Sequence, residues 1–292
     1  MKSFSQKTKE SLCKLNPPGK PCCINAEMMG ILIFASRLKD GELRVVSESF
    51  EVMKRFAVLV KRCCGDSTRV MENKNNFYCT VTNKKIIDMV LDYESGKTTI
   101  FELFATNECC RGAFLRGAFW GGGLIVDPQK TYNMEFVTTD ERIHAEMKEF
   151  LTELELDFKA TKRRSSFVLY SKNTDTICDA LAYMGAVSAQ MQIINLKIER
   201  ELRNDINRAN NGELANMDKV IDAAGKQLAA INKIEATIGI KNLPEDLQEV
   251  AFARLNNKDL SLGALGKTLT PQLTKSGINH RIKRIIEIAK KQ

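Results

Sequence analysis

Two kinds of hydrophobic periodicity alternate along the first two thirds of the chain. Apolar residues at alternating positions in short stretches, such as 43–48 and 132–137, predict strands. Apolar residues every three to four positions, as in 50–63 and 141–154, predict amphipathic helices. The same criteria predict strand pairs at 68–72 with 77–82 and at 157–161 with 166–170, and closing helices at 84–93 and 176–184. The mixture predicts an α+β fold.

The order of these elements repeats along the chain. A shift of 87 residues aligns Cys22 and Cys23 with Cys109 and Cys110, and it also aligns Ala26 with Ala113 and Gly30 with Gly117. Each copy has the predicted order αββαββα, the first over residues 21–107 and the second over residues 108–187. We therefore expect one duplicated domain over 21–187, preceded by an N-terminal tail at 1–20.

The first helix of each copy contains an unusual number of small residues. These are Ala26, Gly30, Ala35 and Ser36 in the first copy, and Ala113, Gly117, Gly121 and Gly122 in the second. Glycine costs roughly 1 kcal/mol relative to alanine inside a helix, so such a run requires a reason. Close packing of the two helices against each other would supply one.

These paired helices resemble those of the LAGLIDADG homing endonucleases, in which each helix ends on an acidic metal ligand. The nine-residue motif falls on residues 28–36 and 115–123, and the position of the catalytic acid is held by Ala35 and Gly122. Phosphodiester hydrolysis with Mg²⁺ requires hard oxygen ligands, which neither residue provides. We therefore expect no catalytic residue and no metal site here.

Two alternatives remain open for this domain. The first is a metal-dependent endonuclease that uses the displaced acids Asp40 and Asp127, although Asp127 precedes Pro128 in what is predicted to be a turn. The second is a scaffold that docks onto a protein partner.

Cysteine spacing does not indicate a metal site or a disulfide framework. The nine cysteines include vicinal pairs at 22–23, 63–64 and 109–110, with no CxxC spacing and only two histidines in the chain. We expect reduced thiols, most of them packed in the interior, and no cofactor.

Residues 188–240 are predicted to form a helical linker. Apolar residues recur at helical spacing from Met191 to Ala209, and Asn211 followed by Gly212 predicts the end of that helix. A second helix is predicted from Met217 to about Ile234.

Residues 241–292 are predicted to form an all-α helix-turn-helix domain of three short helices. The first begins near Pro244, the second runs from a Ser261 cap to Leu269, and the third begins near Thr274. In the third helix Ile278, Ile282, Ile285 and Ala289 are predicted to face inward. The remaining positions are polar or basic: Thr274, Lys275, Ser276, Asn279, His280, Arg281, Lys283 and Arg284. Amides and hydroxyls can meet base edges and basic groups can hold phosphates, so we expect this helix to bind double-stranded DNA.

The distribution of charge supports a nucleic-acid partner. The formal net charge is +8, of which residues 1–190 carry +3 and residues 191–292 carry +5. From Leu260 to Gln292 there are seven basic residues and one acid, Glu287. A concentrated positive patch attracts the phosphate backbone. The chain has no apolar run of about 18 residues and no signal-like N-terminus, so we expect no membrane association and a cytoplasmic, nucleoid-associated protein.

Taken over nearly its full length, the sequence resembles the WhiA family. The positions that carry the resemblance are Arg116–Phe119, Asp127–Pro128, Tyr132, Asn207–Arg208, Asn210, Ala215–Asn216, Leu262–Leu269 and Ser276–Arg281. The resemblance implies a LAGLIDADG-like domain without endonuclease activity, joined to a helix-turn-helix like the promoter-reading region of sigma factors. It also implies a role in cell division, chromosome segregation or the control of sporulation genes. The chain departs from the family in its vicinal cysteines and in Asn211, where a cysteine is common.

Overall fold

Residues 2–292 are described by a computed structural model, and they divide into an N-terminal unit ending at Arg200 and a C-terminal unit beginning at Glu201. The N-terminal unit contains both copies of the repeat. The elements of the first copy are α2 (Pro21–Ala35), β1 (Ser36–Lys39), β2 (Glu42–Ser47), α3 (Phe50–Cys64), β3 (Met71–Asn73), β4 (Asn76–Val81) and α4 (Lys84–Glu94). Those of the second are α5 (Glu108–Gly122), β5 (Gly123–Ile125), β6 (Met134–Thr138), α6 (Glu141–Glu153), β7 (Lys159–Arg163), β8 (Ser166–Ser171) and α7 (Thr174–Met184). The predicted α+β class and the order αββαββα are confirmed in both copies.

Each copy forms its own four-stranded antiparallel sheet. The strand orders are β1-β2-β4-β3 and β5-β6-β8-β7, so the two sheets have the same topology. Alternate residues of the central strands of the first sheet are buried, such as Leu43 and Val45 on β2, so this sheet has one core face. In the second sheet burial does not alternate strictly, because Met134, Glu135 and Phe136 of β6 are all buried.

The two opening helices, α2 and α5, pack directly against each other, as the small residues predicted. A Cβ atom added to Gly30 would lie 2.5 Å from the carbonyl oxygen of Phe114 and 2.6 Å from the amide nitrogen of Ala118. A Cβ atom on Gly117 would overlap the carbonyl oxygen of Glu27. Only glycine allows the two backbones to approach this closely, so the cost of glycine inside each helix is offset by packing.

A buried ion-pair network accompanies this helix contact. The carboxylate of Glu27, which is fully buried, accepts a hydrogen bond from Nε of Arg55 at 2.6 Å and one from Nε of Arg116 at 3.1 Å. Arg116 also donates to the carbonyl oxygen of Met184 at the end of α7, at 2.7 Å. Arg116, which belongs to the second copy, therefore links Glu27 of the first copy to α7, the last helix of the second copy.

The prediction of an N-terminal tail at 1–20 is wrong for its first half. Residues Phe4–Cys13 form a helix, α1, whose N-cap Ser3 accepts a hydrogen bond from the amide of Gln6. Leu12 is 1% exposed within the main core, and the indole of Trp120 donates to the carbonyl oxygen of Lys9 at 3.0 Å. This helix has few apolar residues, which is why periodicity did not indicate it, but long-range contacts bury its inner face.

The predicted break in the linker is also absent. One helix, α8 (Val187–Thr237), continues through Asn211 and Gly212. Its beginning belongs to the N-terminal unit, where Ile193 is buried, and its end belongs to the C-terminal unit, where Ile231 and Ile234 are buried. Residues 201–219 are exposed on all sides of the helix. The predicted apolar face is therefore exposed at Ile198, Leu202 and Ile206.

The C-terminal unit is helical, as predicted. After a single 3₁₀ turn at Ile240–Asn242 it contains α9 (Glu245–Asn256), α10 (Leu262–Lys267) and α11 (Lys275–Lys291). Pro244 lies at the N-cap of α9 instead of at its first turn, and α10 ends two residues before Leu269. Among the described residues, no helix is long and apolar enough to cross a membrane.

Candidate nucleic-acid interface

The last helix, α11, is held in place by an apolar face that points into the C-terminal core. Ile278, Ile282, Ile285 and Ala289 are each at most 4% exposed, as their spacing predicted. They share one core cluster with Leu247 and Val250 of α9 and with Leu265 of α10. The other side of α11 is therefore free of core packing.

Most of the predicted DNA-binding residues lie on this outer side. Six of the eight are exposed, namely Thr274, Lys275, Ser276, Asn279, His280 and Lys283. Thr274 is the N-cap of α11, and its hydroxyl oxygen accepts a hydrogen bond from the amide of Gly277 at 3.2 Å. This bond satisfies one of the free amides that begin every helix and leaves others available to an anion.

The other two residues, Arg281 and Arg284, are half-buried and have a partner that the sequence analysis did not anticipate. Nη1 of Arg284 lies 3.0 Å from Oδ2 of Asp246 in the first turn of α9, and Nε of Arg281 lies 3.8 Å from the same oxygen. Arg281 also donates to the carbonyl oxygen of Asp246 at 3.3 Å. These two arginines thus tie α11 to α9, and Asp246 offsets part of their charge.

A buried arginine holds the connection between α9 and α10. Arg254 is 1% exposed, and its Nη1 donates to the carbonyl oxygens of Leu260 at 2.7 Å and Asn257 at 3.2 Å. Burial lowers the pKa of this guanidinium. Arg254 follows Leu247, Val250 and Ala251 at helical spacing, so its place on the inner face was visible in the sequence although the analysis did not use it.

The turn between α10 and α11 depends on a close backbone contact. The amide of Leu273 donates to the carbonyl oxygen of Gly266 at 3.0 Å, and a Cβ atom on Gly266 would overlap the carbonyl oxygen of Leu273. Glycine at this position therefore sets the approach of the two helices. Together with Arg254, it fixes both connections of the three-helix unit.

In the N-terminal unit, the positions that would carry catalytic acids lie at the ends of α2 and α5. Ala35 is the last residue of α2, and Gly122 is the last residue of α5. A Cβ atom on Gly122 would lie 2.5 Å from the ring of Phe34 and 2.7 Å from the carbonyl oxygen of Val137. The second position therefore lacks the space for an acidic side chain as well as the acid itself.

A cavity of about 1190 Å³ opens at these helix ends, lined by residues of both repeats. Its lining includes the basic residues Arg37, Lys39 and Arg44 of the first sheet. Of the described residues that line it, Glu94 and Asp140 are the acids, and Asp140 caps α6 by accepting hydrogen bonds from two amides. The cavity thus combines these cationic side chains with two carboxylates, of which that of Asp140 is already engaged.

The displaced acids, Asp40 and Asp127, occupy turns. Asp40 lies between β1 and β2 with a positive φ of 51°. Asp127 accepts a hydrogen bond from the amide of Gln129 at 2.9 Å, which is the side-chain turn expected of an aspartate at this position. Neither residue lines the cavity at the helix ends.

Comparison with protein families identifies matches over most of the chain. Residues 206–289 match the WhiA C-terminal HTH domain, and residues 111–203 match the WhiA LAGLIDADG-like domain. Residues 111–203 span most of the second repeat and the start of α8. Residues 206–289 span the rest of α8 and the three-helix unit.

Curated relatives align with almost the whole chain. The "Probable cell division protein WhiA" of Clostridium novyi (strain NT) is 37% identical over 98% of this chain and 97% of its own length. The protein of the same name from Alkaliphilus oremlandii (strain OhILAs) is 35% identical over 99% and 97%, respectively.

Solved structures support the same assignment. The full-length DUF199/WhiA from Thermatoga maritima has a TM-score of 0.64 and 28% identity, and the match covers 99% of each chain. The N-terminal LAGLIDADG domain of DUF199/WhiA has a TM-score of 0.53 at 18% identity, covering 63% of this chain, and supports the fold of the N-terminal unit.

Proposed function

We propose that this chain, which belongs to the WhiA family, binds double-stranded DNA through the outer side of α11 and does not cut it. The observation that carries the proposal is the outer side of α11 itself. It combines exposed lysines, an amide and hydroxyls on a helix whose opposite side is anchored in a three-helix core. Helix-turn-helix proteins place such a helix in the major groove.

The residues of α11 have different proposed roles. Lys275 and Lys283 contact phosphates, while Ser276 and Asn279 meet base edges, because amides and hydroxyls can read donor and acceptor patterns there. His280 lies beside them on the same exposed side. Arg281 and Arg284 fix the angle between α11 and α9 by pairing with Asp246. They contribute less to binding the DNA backbone, because Asp246 already neutralises part of their charge.

We infer the absence of nuclease activity from the chemistry at the ends of α2 and α5. Ala35 and Gly122 offer no side-chain oxygen to a metal ion, and the surroundings of Gly122 exclude a larger side chain. In the neighbouring cavity the basic residues Arg37, Lys39 and Arg44 outnumber the acids Glu94 and Asp140, which disfavours a divalent cation there. We propose that the N-terminal unit has kept the fold of an endonuclease as a scaffold that a protein partner can contact.

The biological role is proposed from the relatives. Proteins that share 35–37% identity with nearly this whole chain are named probable cell division proteins. We place this chain in the same process, as a nucleoid-associated DNA-binding protein that links chromosome state or gene expression to division.

A charge-removal experiment tests the proposed binding surface. Fluorescence anisotropy of a labelled duplex is measured with the full chain and with the double variant Lys275→Ala/Lys283→Ala, over a salt series. Each phosphate contact contributes about 0.9 to the slope of log K against log salt, so loss of two contacts should reduce the slope by roughly 1.8.

The matched control removes two exposed lysines from the N-terminal unit, Lys148→Ala/Lys172→Ala. The control should bind as the unaltered chain does. If the control loses as much affinity and slope as the α11 variant, the binding surface is not α11 and the proposal is wrong.

A further inference from the structure

Four cysteines converge where α2 and α5 begin. Cys22 and Cys23 lie in the first turn of α2, and Cys109 and Cys110 lie in the first turn of α5. The Sγ atoms are 3.9 Å apart for Cys22 and Cys23, for Cys22 and Cys109, and for Cys109 and Cys110. All four Sγ atoms lie within 4.8 Å of one another.

These separations correspond to the edges of a metal-centred tetrahedron. Zinc binds thiolate sulfur at about 2.3 Å, which places the sulfurs of a tetrahedral site about 3.8 Å apart. Three of the sulfur pairs are already at 3.9 Å, and the remaining pairs need to close by at most about 1 Å. Rotation of side chains in the first turn of a helix can provide a shift of this size.

The surroundings act on a charged thiolate site in two directions. Burial raises the pKa of Cys23 to about 11 and also raises the pKa of Cys110, whereas the two helix N-termini favour negative charge. Four thiolates around one divalent cation carry a net charge of −2, and each helix N-terminus contributes about +0.5 through its free amides. Two helices begin at this place, so both dipoles point their positive ends at the sulfurs. Cys23 and Cys110 are buried, whereas Cys22 and Cys109 are exposed and leave a path for a metal ion.

We propose that Cys22, Cys23, Cys109 and Cys110 together bind one zinc ion in a structural site. Binding replaces four S–H bonds by four Zn–S bonds and releases four protons to solvent, with no change of oxidation state. A site with four protein ligands has no open position for a substrate, so its role is structural. The ion would clamp the two repeats together at the helix ends opposite to Ala35 and Gly122.

Reduced and mostly packed thiols are what the sequence predicts, because no metal-binding spacing occurs within any one segment. That expectation missed this cluster, because each repeat supplies only two ligands and the packing of α2 on α5 brings the pairs together. The 87-residue spacing of the repeats is therefore the sequence signal for the site.

Metal content of the full chain tests the proposal directly. The chain is purified under reducing conditions, loaded with Zn²⁺, freed of excess ion and assayed for zinc per chain. We expect one zinc per chain, and after replacement by Co²⁺ we expect the visible absorption of a tetrahedral thiolate site. The variant Cys22→Ser/Cys109→Ser should retain less than about a tenth of the zinc, because serine hydroxyls are poor zinc ligands.

The matched control is Cys63→Ser/Cys64→Ser, which alters the third vicinal pair outside the cluster. It should keep one zinc per chain, and both variants should retain the helical circular dichroism of the unaltered chain. If the unaltered chain holds no zinc and all four thiols react with a thiol reagent, they are simple packed thiols and the proposal is wrong. A Cys22–Cys109 disulfide in the chain as first isolated without chelator or reductant, with no zinc bound, would also overturn it. DNA binding is not part of this assay, so the outcome is independent of the proposed function.

Discussion

A single carboxylate, that of Asp246, separates the basic residues of α11 into two groups. Arg281 and Arg284 lie within 3.8 Å of its Oδ2, whereas Lys275 and Lys283 are exposed on the outer side of the helix. A cation that already has an anionic partner releases fewer counterions when it meets a phosphate. We therefore expect the basic residues of α11 to contribute unequally to DNA binding.

This difference can be measured with two single variants. Lys283→Ala should lower the slope of log K against log salt by about 0.9, the value for one phosphate contact. Arg284→Ala removes a cation that is paired at 3.0 Å, so its slope should fall by less than half as much. Anisotropy titrations of the same duplex at four salt concentrations compare the two. Equal losses would show that Asp246 does not restrain Arg284 when DNA is bound.

At the residue scale, the sequence predicts side chains that obey a period and misses those that depend on a distant partner. The inward positions Ile278, Ile282, Ile285 and Ala289 follow from helical spacing alone. The pairing of Arg284 with Asp246 joins two helices whose relative placement no local pattern specifies. The assignment of DNA contacts to α11 stays a prediction until it is measured.

The close packing of α2 against α5 depends on particular small residues. Glycines at 30 and 117 bring the two backbones together, and Glu27 binds Arg55 and Arg116 beside them. Because interiors are close-packed, an added methyl group there has no room to relax. The linker helix α8 offers the opposite case, since an added Cβ at Gly212 meets nothing within 4 Å.

Alanine substitution at these two glycines should have opposite effects. Gly117→Ala should lower the free energy of unfolding by about 1–3 kcal/mol or more, because the new methyl group overlaps the Glu27 carbonyl oxygen. Gly212→Ala should raise the stability of α8 by about 0.5–1 kcal/mol, because alanine favours the helix. Urea denaturation followed by circular dichroism measures both changes. A neutral Gly117→Ala variant would contradict the tight contact of α2 with α5.

At the scale of elements, periodicity predicted the repeat elements well and the helix ends less well. The helix Phe50–Cys64 ends one residue beyond its predicted end at residue 63, and the Gly65 that follows it has a φ of 82°. Asn211 and Gly212 failed as a stop signal because a glycine inside a helix costs only about 1 kcal/mol, which flanking helical residues can offset. Helix α1 was missed because its inner face is buried by α3, α5 and β5, all of which are distant from it along the chain.

On the scale of the whole molecule, the duplication pairs α2 with α5, so each end of this helix pair brings together residues from both repeats. At one end of α2 and α5 lie Ala35 and Gly122, the positions predicted to correspond to the acids of an endonuclease. At the other end, four cysteines come together from the two repeats. The internal repeat can be recognised from the sequence. The clustering of the four cysteines cannot, because it depends on how the two copies pack against each other.

The central claim is that the full chain binds duplex DNA without cutting it. The most direct measurement incubates the chain with an end-labelled duplex and Mg²⁺ or Mn²⁺, then analyses one portion on a native gel and the other on a denaturing gel. We expect a shifted complex on the native gel and full-length strands on the denaturing gel at every time point. Metal-dependent cleavage products, or the absence of a complex at low salt, would contradict it.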